Sequence, residues 1–181
     1  MDLQTFLSDL RRADPFSGAV ALAAGCALTI CGFLFFQYVV GLAPCPLCYE
    51  QRYAFYIGLG LTGLLALGAK HGASGKVIAA GLIVLAAIML WNAGLGVYHA
   101  GIEWKFWQGP AECSGGLAPL GGPGGLLRQL QTATVVRCDE AAWRLFGISL
   151  PGWNVLVSLA HAALAGWIGF AAIGRAKAKR R

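Results

Sequence analysis

Residues 17–40 read "SGAVALAAGCALTICGFLFFQYVV", 24 positions without a charged side chain. An α-helix rises about 1.5 Å per residue, so ~20 apolar residues cross the ~30 Å hydrocarbon core of a bilayer. Three similar runs follow, at about residues 49–69, 77–98 and 153–173. In lipid the backbone must bond to itself, which makes each run a helix. Composition agrees: 57% of the 181 residues are hydrophobic, 12% are charged and mean hydropathy is +0.64, against roughly 25% charged in ordinary soluble domains. The many Gly and Ala residues suit close helix approach in a membrane. The expected fold is an all-α integral membrane protein, with residues 1–181 forming a single domain built on a four-transmembrane-helix bundle.

The basic residues give an orientation. Arg11 and Arg12 precede the first run, Lys70 and Lys76 flank the second turn, and Arg175, Lys177, Lys179, Arg180 and Arg181 close the sequence. By the positive-inside rule both termini and that turn are cytoplasmic, and the connections at about 41–48 and 99–152 face outward. The net charge of +6 is thus a topology signal, and no nucleic-acid partner is expected. A polar, partly acidic stretch precedes the first run, which exceeds the 7–15 residues of a signal-peptide core, so this helix is expected to be retained.

Six cysteines are present. Cys26 and Cys31 lie in the first run, five positions apart, and point roughly 140° away from each other on a helix, as small packing residues would. Cys45, Cys48, Cys113 and Cys138 all fall on the outward side, where thiols can be oxidised. A four-thiolate zinc site would want a second tight pair, whereas 24 residues separate Cys113 from Cys138, among them the glycine-rich stretch 114–125; no metal is expected. Structural disulfides are a second reading, and a bridge between Cys113 and Cys138 would restrain the loop. Thiol–disulfide exchange is the third, and the stretch 44–52, "PCPLCYEQR", favours it. Pro46 suits the first position of a helix, which makes Cys45 the N-cap and puts Cys48 in the first turn, where unpaired N–H groups and the helix dipole favour thiolate. Arg52 follows Cys48 by four residues, on the same face and one turn deeper. An arginine inside an apolar helix marks a functional site, unless it only snorkels to the interface.

The long outer connection opens on the aromatic-rich stretch 98–107, suited to the water–lipid boundary. After Cys138, Asp139 as N-cap, Gly147 as a helix stop, and Trp143 with Phe146 one turn apart predict a short amphipathic helix on the membrane surface.

The pattern resembles the DsbB family, the bacterial inner-membrane disulfide oxidases, along nearly the whole chain: the four runs, "PCPLCYEQR", "YHAGIEWKFWQGPAEC" (98–113) and "RCDEAAWRLFGISLPGWN" (137–154). The resemblance implies an enzyme that reoxidises a DsbA-like periplasmic thiol oxidase and passes the electrons to a quinone, ubiquinone or menaquinone; quinone-coupled DsbA–DsbB oxidation is what keeps the periplasm oxidising. It implies that Cys113, paired with Cys138, meets the partner, that Cys138 then exchanges with Cys45, and that Cys48 faces the quinone with Arg52 offsetting negative charge. Gln51 matches the family's Gln-Arg form of the motif. His99 falls near a family histidine close to the quinone; it also reads as an interfacial hydrogen-bonding residue. The expected location is the bacterial inner membrane, as a monomer, with the redox cysteines periplasmic.

Two rival readings remain: a non-enzymatic membrane protein with structural disulfides, and an enzyme of the vitamin K epoxide reductase type. Against the latter, the CxxC opens the second helix and the loop pair follows it. His161, near mid-membrane, reads as a packing histidine, and Gln37 as a residue bordering the quinone pocket.

Overall fold

Apolar composition fixes the helices, and their packing decides which faces meet. The structure, a computed structural model, describes residues 2–110 and 137–178. A short helix α1 (Leu3–Arg11) leads into four long ones, α2 (Pro15–Tyr38), α3 (Pro46–Lys70), α4 (Gly75–Glu103) and α5 (Leu150–Ala178), with a two-stranded hairpin, β1 (Arg144–Leu145) and β2 (Ile148–Ser149), before α5. All four long helices are long and apolar enough to span a membrane. They run up and down, so the chain ends lie at one end of the bundle and the α2–α3 and α4–α5 connections at the other. At the first end Arg175 donates to the carbonyls of Arg12 and Ala13, at 2.9 and 2.6 Å.

Local rules explain the helix starts. Asp2 caps α1 through Thr5 N–H and Asp14 caps α2 through Ser17 N–H, with Pro15 at the first helical position of α2. Helix α1 was not expected from the sequence; its signal was Asp2 three residues ahead of Thr5.

The core runs along the bundle axis through Leu22, Phe55, Leu82, Leu85, Met89 and Ile168. Cys26 is buried there and Cys31 is exposed. Helices α4 and α5 pack most extensively. A Cβ on Gly96 would sit 2.8 Å from Val155 and 3.1 Å from the Pro151 carbonyl, so only glycine allows the two backbones this near. His161 turns Nδ1 to the Val157 carbonyl at 2.8 Å and packs edge-on against Phe55.

Two sequence expectations change. The apolar run ends at Tyr98, but α4 continues through Glu103 because Gly101, Ile102 and Glu103 are buried against the bundle; His99 is therefore a helical residue and not part of a loop. The membrane-surface helix expected over 139–147 is absent. Phe146 and Gly147 both take positive φ, 52° and 80°, as a type I′ turn requires, and pair Leu145 with Ile148 and Arg144 with Ser149. Gly147, expected as a helix stop, closes a hairpin instead. Asp139 caps no helix: its carboxylate accepts from Lys105 Nζ at 2.6 Å and from Arg137 at 2.8 and 2.9 Å.

Candidate redox site

At the end of the bundle away from the chain termini, Pro46 starts α3 and leaves Cys45 as its N-cap, with extended backbone (φ −77°, ψ 167°). The Cys48 N–H donates to the Cys45 sulfur at 3.3 Å, and the two sulfurs lie 2.8 Å apart as unbonded thiols. The Nε2 of His99, on α4, is 3.7 Å from the same sulfur. These contacts pull the Cys45 thiol down to about 5: the Cys48 side chain is the largest influence, burial opposes it, and His99 and the Cys48 backbone N–H assist.

The loop after Arg137 brings Cys138 to this point. The Cys45 and Cys138 sulfurs and a ring nitrogen of His99 lie within 4.8 Å of one another, all three residues buried. Cys138 is disulfide-bonded. Cys113 lies outside the described residues. Ion pairs of Asp139 with Lys105 and Arg137 tie the Cys138 loop to the residue just beyond α4, and they hold the Asp139 carboxyl well below the usual carboxylate range, Arg137 more than Lys105. Three donors this close have the spacing of an ion site, but one sulfur is committed to a disulfide. In addition, Gln51 Nε2 lies 2.8 Å from His99 Nδ1 and donates to it, whereas a metal-bound imidazole needs that nitrogen to donate.

Cys48 faces the other way. A cavity of about 200 Å³ opens beside it between α2, α3 and α5, walled by Phe33, Phe36, Phe55 and Trp153 and by Pro44 of the α2–α3 connection. Arg52 lines it and is only 8% exposed. Its guanidinium donates to Gln37 Oε1 at 2.6 Å and lies 4.6 Å from the Phe33 ring centre and 5.1 Å from that of Tyr49. A cation at this depth is tolerable because a neutral amide and two aromatic faces receive it. No carboxylate neutralises it among the described residues, so its charge is available to the cavity.

The expected residues therefore sort into three groups. Cys45, Cys138, His99 and Gln51 meet at one cluster; Cys48 and Arg52 line the cavity, with Gln51 reaching its wall; Cys113 is outside the described residues. Sequence reasoning missed Asn92, Asn154, Ser158 and Glu103, all partly or fully buried. Asn92, Asn154 and Ser158 were available as polar residues inside otherwise apolar runs, whereas Glu103 lies beyond the third run. Gln37, expected as a pocket neighbour, is the partner of Arg52.

Comparison with known proteins gives this arrangement its class. The family described as "Disulfide bond formation protein DsbB" matches residues 16–168. Similar proteins, each named "Disulfide bond formation protein B", include one from Saccharophagus degradans, 31% identical over 83% of this chain and 90% of its own length. One from Stutzerimonas stutzeri is 34% identical over 87% and 96%, and one from Azoarcus sp. is 34% identical over 83% and 90%. No solved structure matches. The four candidate spans and the family match define a multi-pass membrane protein of a disulfide-forming oxidoreductase family. The chain belongs to the DsbB family.

Proposed function

We propose that the protein reoxidises a DsbA-like periplasmic thiol oxidase and delivers the electrons to a quinone held beside Cys48. The observation that carries this reading is the position of the Cys45 sulfur, between Cys138, within 4.8 Å, and Cys48, at 2.8 Å, with the Arg52-lined cavity directly beyond.

A reduced partner thiolate attacks Cys113 of a Cys113–Cys138 disulfide and releases Cys138 as thiolate. Cys138 then attacks Cys45 of a Cys45–Cys48 disulfide, and Cys48 is released as thiolate. The partner's second thiol resolves its mixed disulfide with Cys113, and Cys113 in turn resolves the Cys138–Cys45 bond; one partner dithiol becomes a disulfide and the Cys45–Cys48 pair is left reduced. In that pair Cys45 carries the charge. Its stabilisation by Cys48, His99 and a helix N–H makes formation of the reduced pair favourable, because thiol exchange runs toward the more stable thiolate.

The cavity fits a quinone on chemical grounds: aromatic rings form flat apolar walls, and Arg52, Gln51 and Asn154 supply a few polar groups among them. Quinone, when bound, would supply an acceptor for the two electrons lost as the Cys45 thiolate and the Cys48 thiol become a disulfide and for the Cys48 proton; the second proton of the quinol is drawn from water, matching the one Cys45 released on ionising. Arg52 offsets negative charge at that wall, Gln37 orients it, and the aromatic lining excludes water. The basic chain ends face the cytoplasm and the cysteine cluster the periplasm of the bacterial inner membrane.

Anaerobic mixing of the purified full chain with a reduced DsbA-like protein and ubiquinone or menaquinone tests the whole route. Loss of quinone absorbance in step with partner oxidation is expected; no loss with either quinone overturns the reading.

A further inference from the structure

Asn92 on α4 and Asn154 and Ser158 on α5 form a polar seam inside the bundle; the electron route above uses only Asn154, as a group at the cavity wall, and assigns the seam no part. Polar side chains within a bilayer-spanning bundle are costly unless bonded, so the bonds they make are informative. Each bond has a determined direction. The Leu47 carbonyl can only accept, so the Gln51 atom 3.2 Å from it is Nε2. That Nε2 is also 2.8 Å from His99 Nδ1. Nδ1 therefore accepts, and the imidazole carries its hydrogen on Nε2, the atom facing the Cys45 sulfur.

Gln51 Oε1 is left as an acceptor, and Asn154 Nδ2 donates to it at 2.6 Å. Asn154 Oδ1 in turn accepts from Asn92 Nδ2 at 3.2 Å and from Ser158 Oγ at 3.4 Å, while Asn92 Nδ2 also donates to Ser158 Oγ at 3.0 Å. The donors form a one-way series from Asn92 through Asn154, Gln51 and His99 to Cys45.

We propose that Asn154, held by Asn92 and Ser158, is a positioning residue that fixes the amide of Gln51, through it the tautomer of His99, and so the N–H presented to the Cys45 sulfur. An aspartate at this position reverses the series. A carboxylate can only accept, so Gln51 turns Nε2 toward it and Oε1 toward His99; Nδ1 must then carry the hydrogen, and a lone pair faces the sulfur. Leucine of similar size removes the donor without adding charge and leaves the Gln51 amide held on that side by the Leu47 carbonyl alone.

The other groups that act on Cys45 are Cys48 and, through it, Arg52 on α3, together with Glu103 on α4, which Arg144 of β1 faces. Cys138 does not titrate while disulfide-bonded. None of these is altered by the Asn154 variants, but Asn154→Asp adds a charge of its own, so the midpoint in Asn154→Leu and the tautomer in both variants report the His99 contact.

The inference rests on Cys45 being the exchange sulfur, but its test needs neither quinone nor partner. Failure of the quinone assay therefore leaves it standing, and the reverse also holds. The full chain in micelles, with the Cys45–Cys48 pair reduced, is labelled with 15N in its histidine rings and 13C at cysteine Cβ. In the unaltered protein the His99 shifts should show an unprotonated Nδ1 and a protonated Nε2. Asn154→Asp should exchange the two. Asn154→Asp and Asn154→Leu should both move the Cys45 Cβ titration midpoint upward by about one pH unit, as loss of one hydrogen bond to a thiolate does. A hydrogen on Nδ1 in the unaltered protein overturns the proposal without any variant. So do folded Asn154 variants that keep both the tautomer and the midpoint.

Discussion

The two sides of the first turns of α3 differ in kind. Cys45 and Gln51 look toward α4, α5 and the Cys138 loop, where a series of polar side chains is hydrogen-bonded one to the next. Cys48 and Arg52 look toward α2 and the cavity, where rings dominate and one guanidinium supplies the charge. Two residues separate Cys45 from Cys48; Cys45 caps α3 with extended backbone while Cys48 lies in its first helical turn, and the two side chains meet different surroundings. The polar side decides where a proton and a negative charge sit, while the apolar side offers a dry wall next to a cation. Within the proposed route, this difference lets one CxxC exchange disulfides on one flank and release electrons on the other.

Removing the sulfur shared by both flanks should have the largest effect. Cys45→Ala is expected to lower quinone-linked partner oxidation on the order of a thousandfold or more, since no other sulfur joins the flanks among the described residues. Anaerobic stopped-flow measurement should show retained partner exchange at the loop disulfide and no quinone loss; quinone reduction at the normal rate would make the two-flank comparison meaningless. Cys113→Ser should abolish partner exchange itself, and a trapped partner disulfide at Cys138 instead would reverse the roles of that pair.

Arg52→Met isolates the apolar flank. It keeps volume, removes the charge and leaves Gln37 without its donor, so quinone reduction should fall roughly 100-fold, the scale of losing one charged stabiliser in a dry site. Exchange with the partner should stay within about twofold, because Arg52 touches none of Cys45, His99 or Cys138 among the contacts described. Parallel losses in both half-reactions would show that the flanks are not separable.

Much of this division was legible in the sequence, because its causes are local. Four apolar runs dictate helices in any bilayer, Pro46 announces the start of α3, and the spacing of Cys48 and Arg52 puts them on one face. The hairpin was not legible, since Asp139, Trp143 and Gly147 satisfy helix rules equally well and tertiary contacts settle the choice: Asp139 on Lys105 and Arg137, Trp143 on Phe36 with ring centres 4.7 Å apart, and Trp153 Nε1 on the Leu145 carbonyl at 3.2 Å. The polar seam was half legible. Asn92, Asn154 and Ser158 stand out in apolar runs, but their junction with Gln51 spans 103 positions between Gln51 and Asn154. Only the register of α3, α4 and α5 sets that meeting.

On the polar flank, Cys48→Ala sharpens the comparison through pH. The Cys48 side chain is the largest influence holding Cys45 near 5. Thiolate is the deprotonated form, so its fraction rises with pH, is half at the midpoint and is nearly complete at pH 7. Without Cys48 the midpoint should move up toward ordinary thiols near ~8.5, stopping short of it because His99 and the helix N–H remain. Alkylation of Cys45 followed by mass spectrometry across pH 4–9 measures this. An unchanged midpoint would assign the charge to the polar flank alone and remove Cys48 from its control.

The smallest expected effect concerns how Cys138 is delivered. Asp139 follows it directly and holds two cations, Lys105 next to the end of α4 and Arg137 on the same loop. Exposed ion pairs contribute little individually and weaken with salt. Asp139→Asn removes the charge while keeping the shape, so the loop should hold Cys138 beside Cys45 for a smaller fraction of the time. Exchange between the two cysteine pairs should slow roughly two- to fivefold at low salt, with the gap to the unaltered protein closing near 1 M salt, where the Debye length is only about 3 Å. Quench-flow trapping of the Cys45–Cys138 disulfide reads this step alone. A salt-independent defect would mean that Asp139 acts through local backbone shape, and the ion pairs would then be bystanders to a loop held in place by Trp143 and the hairpin.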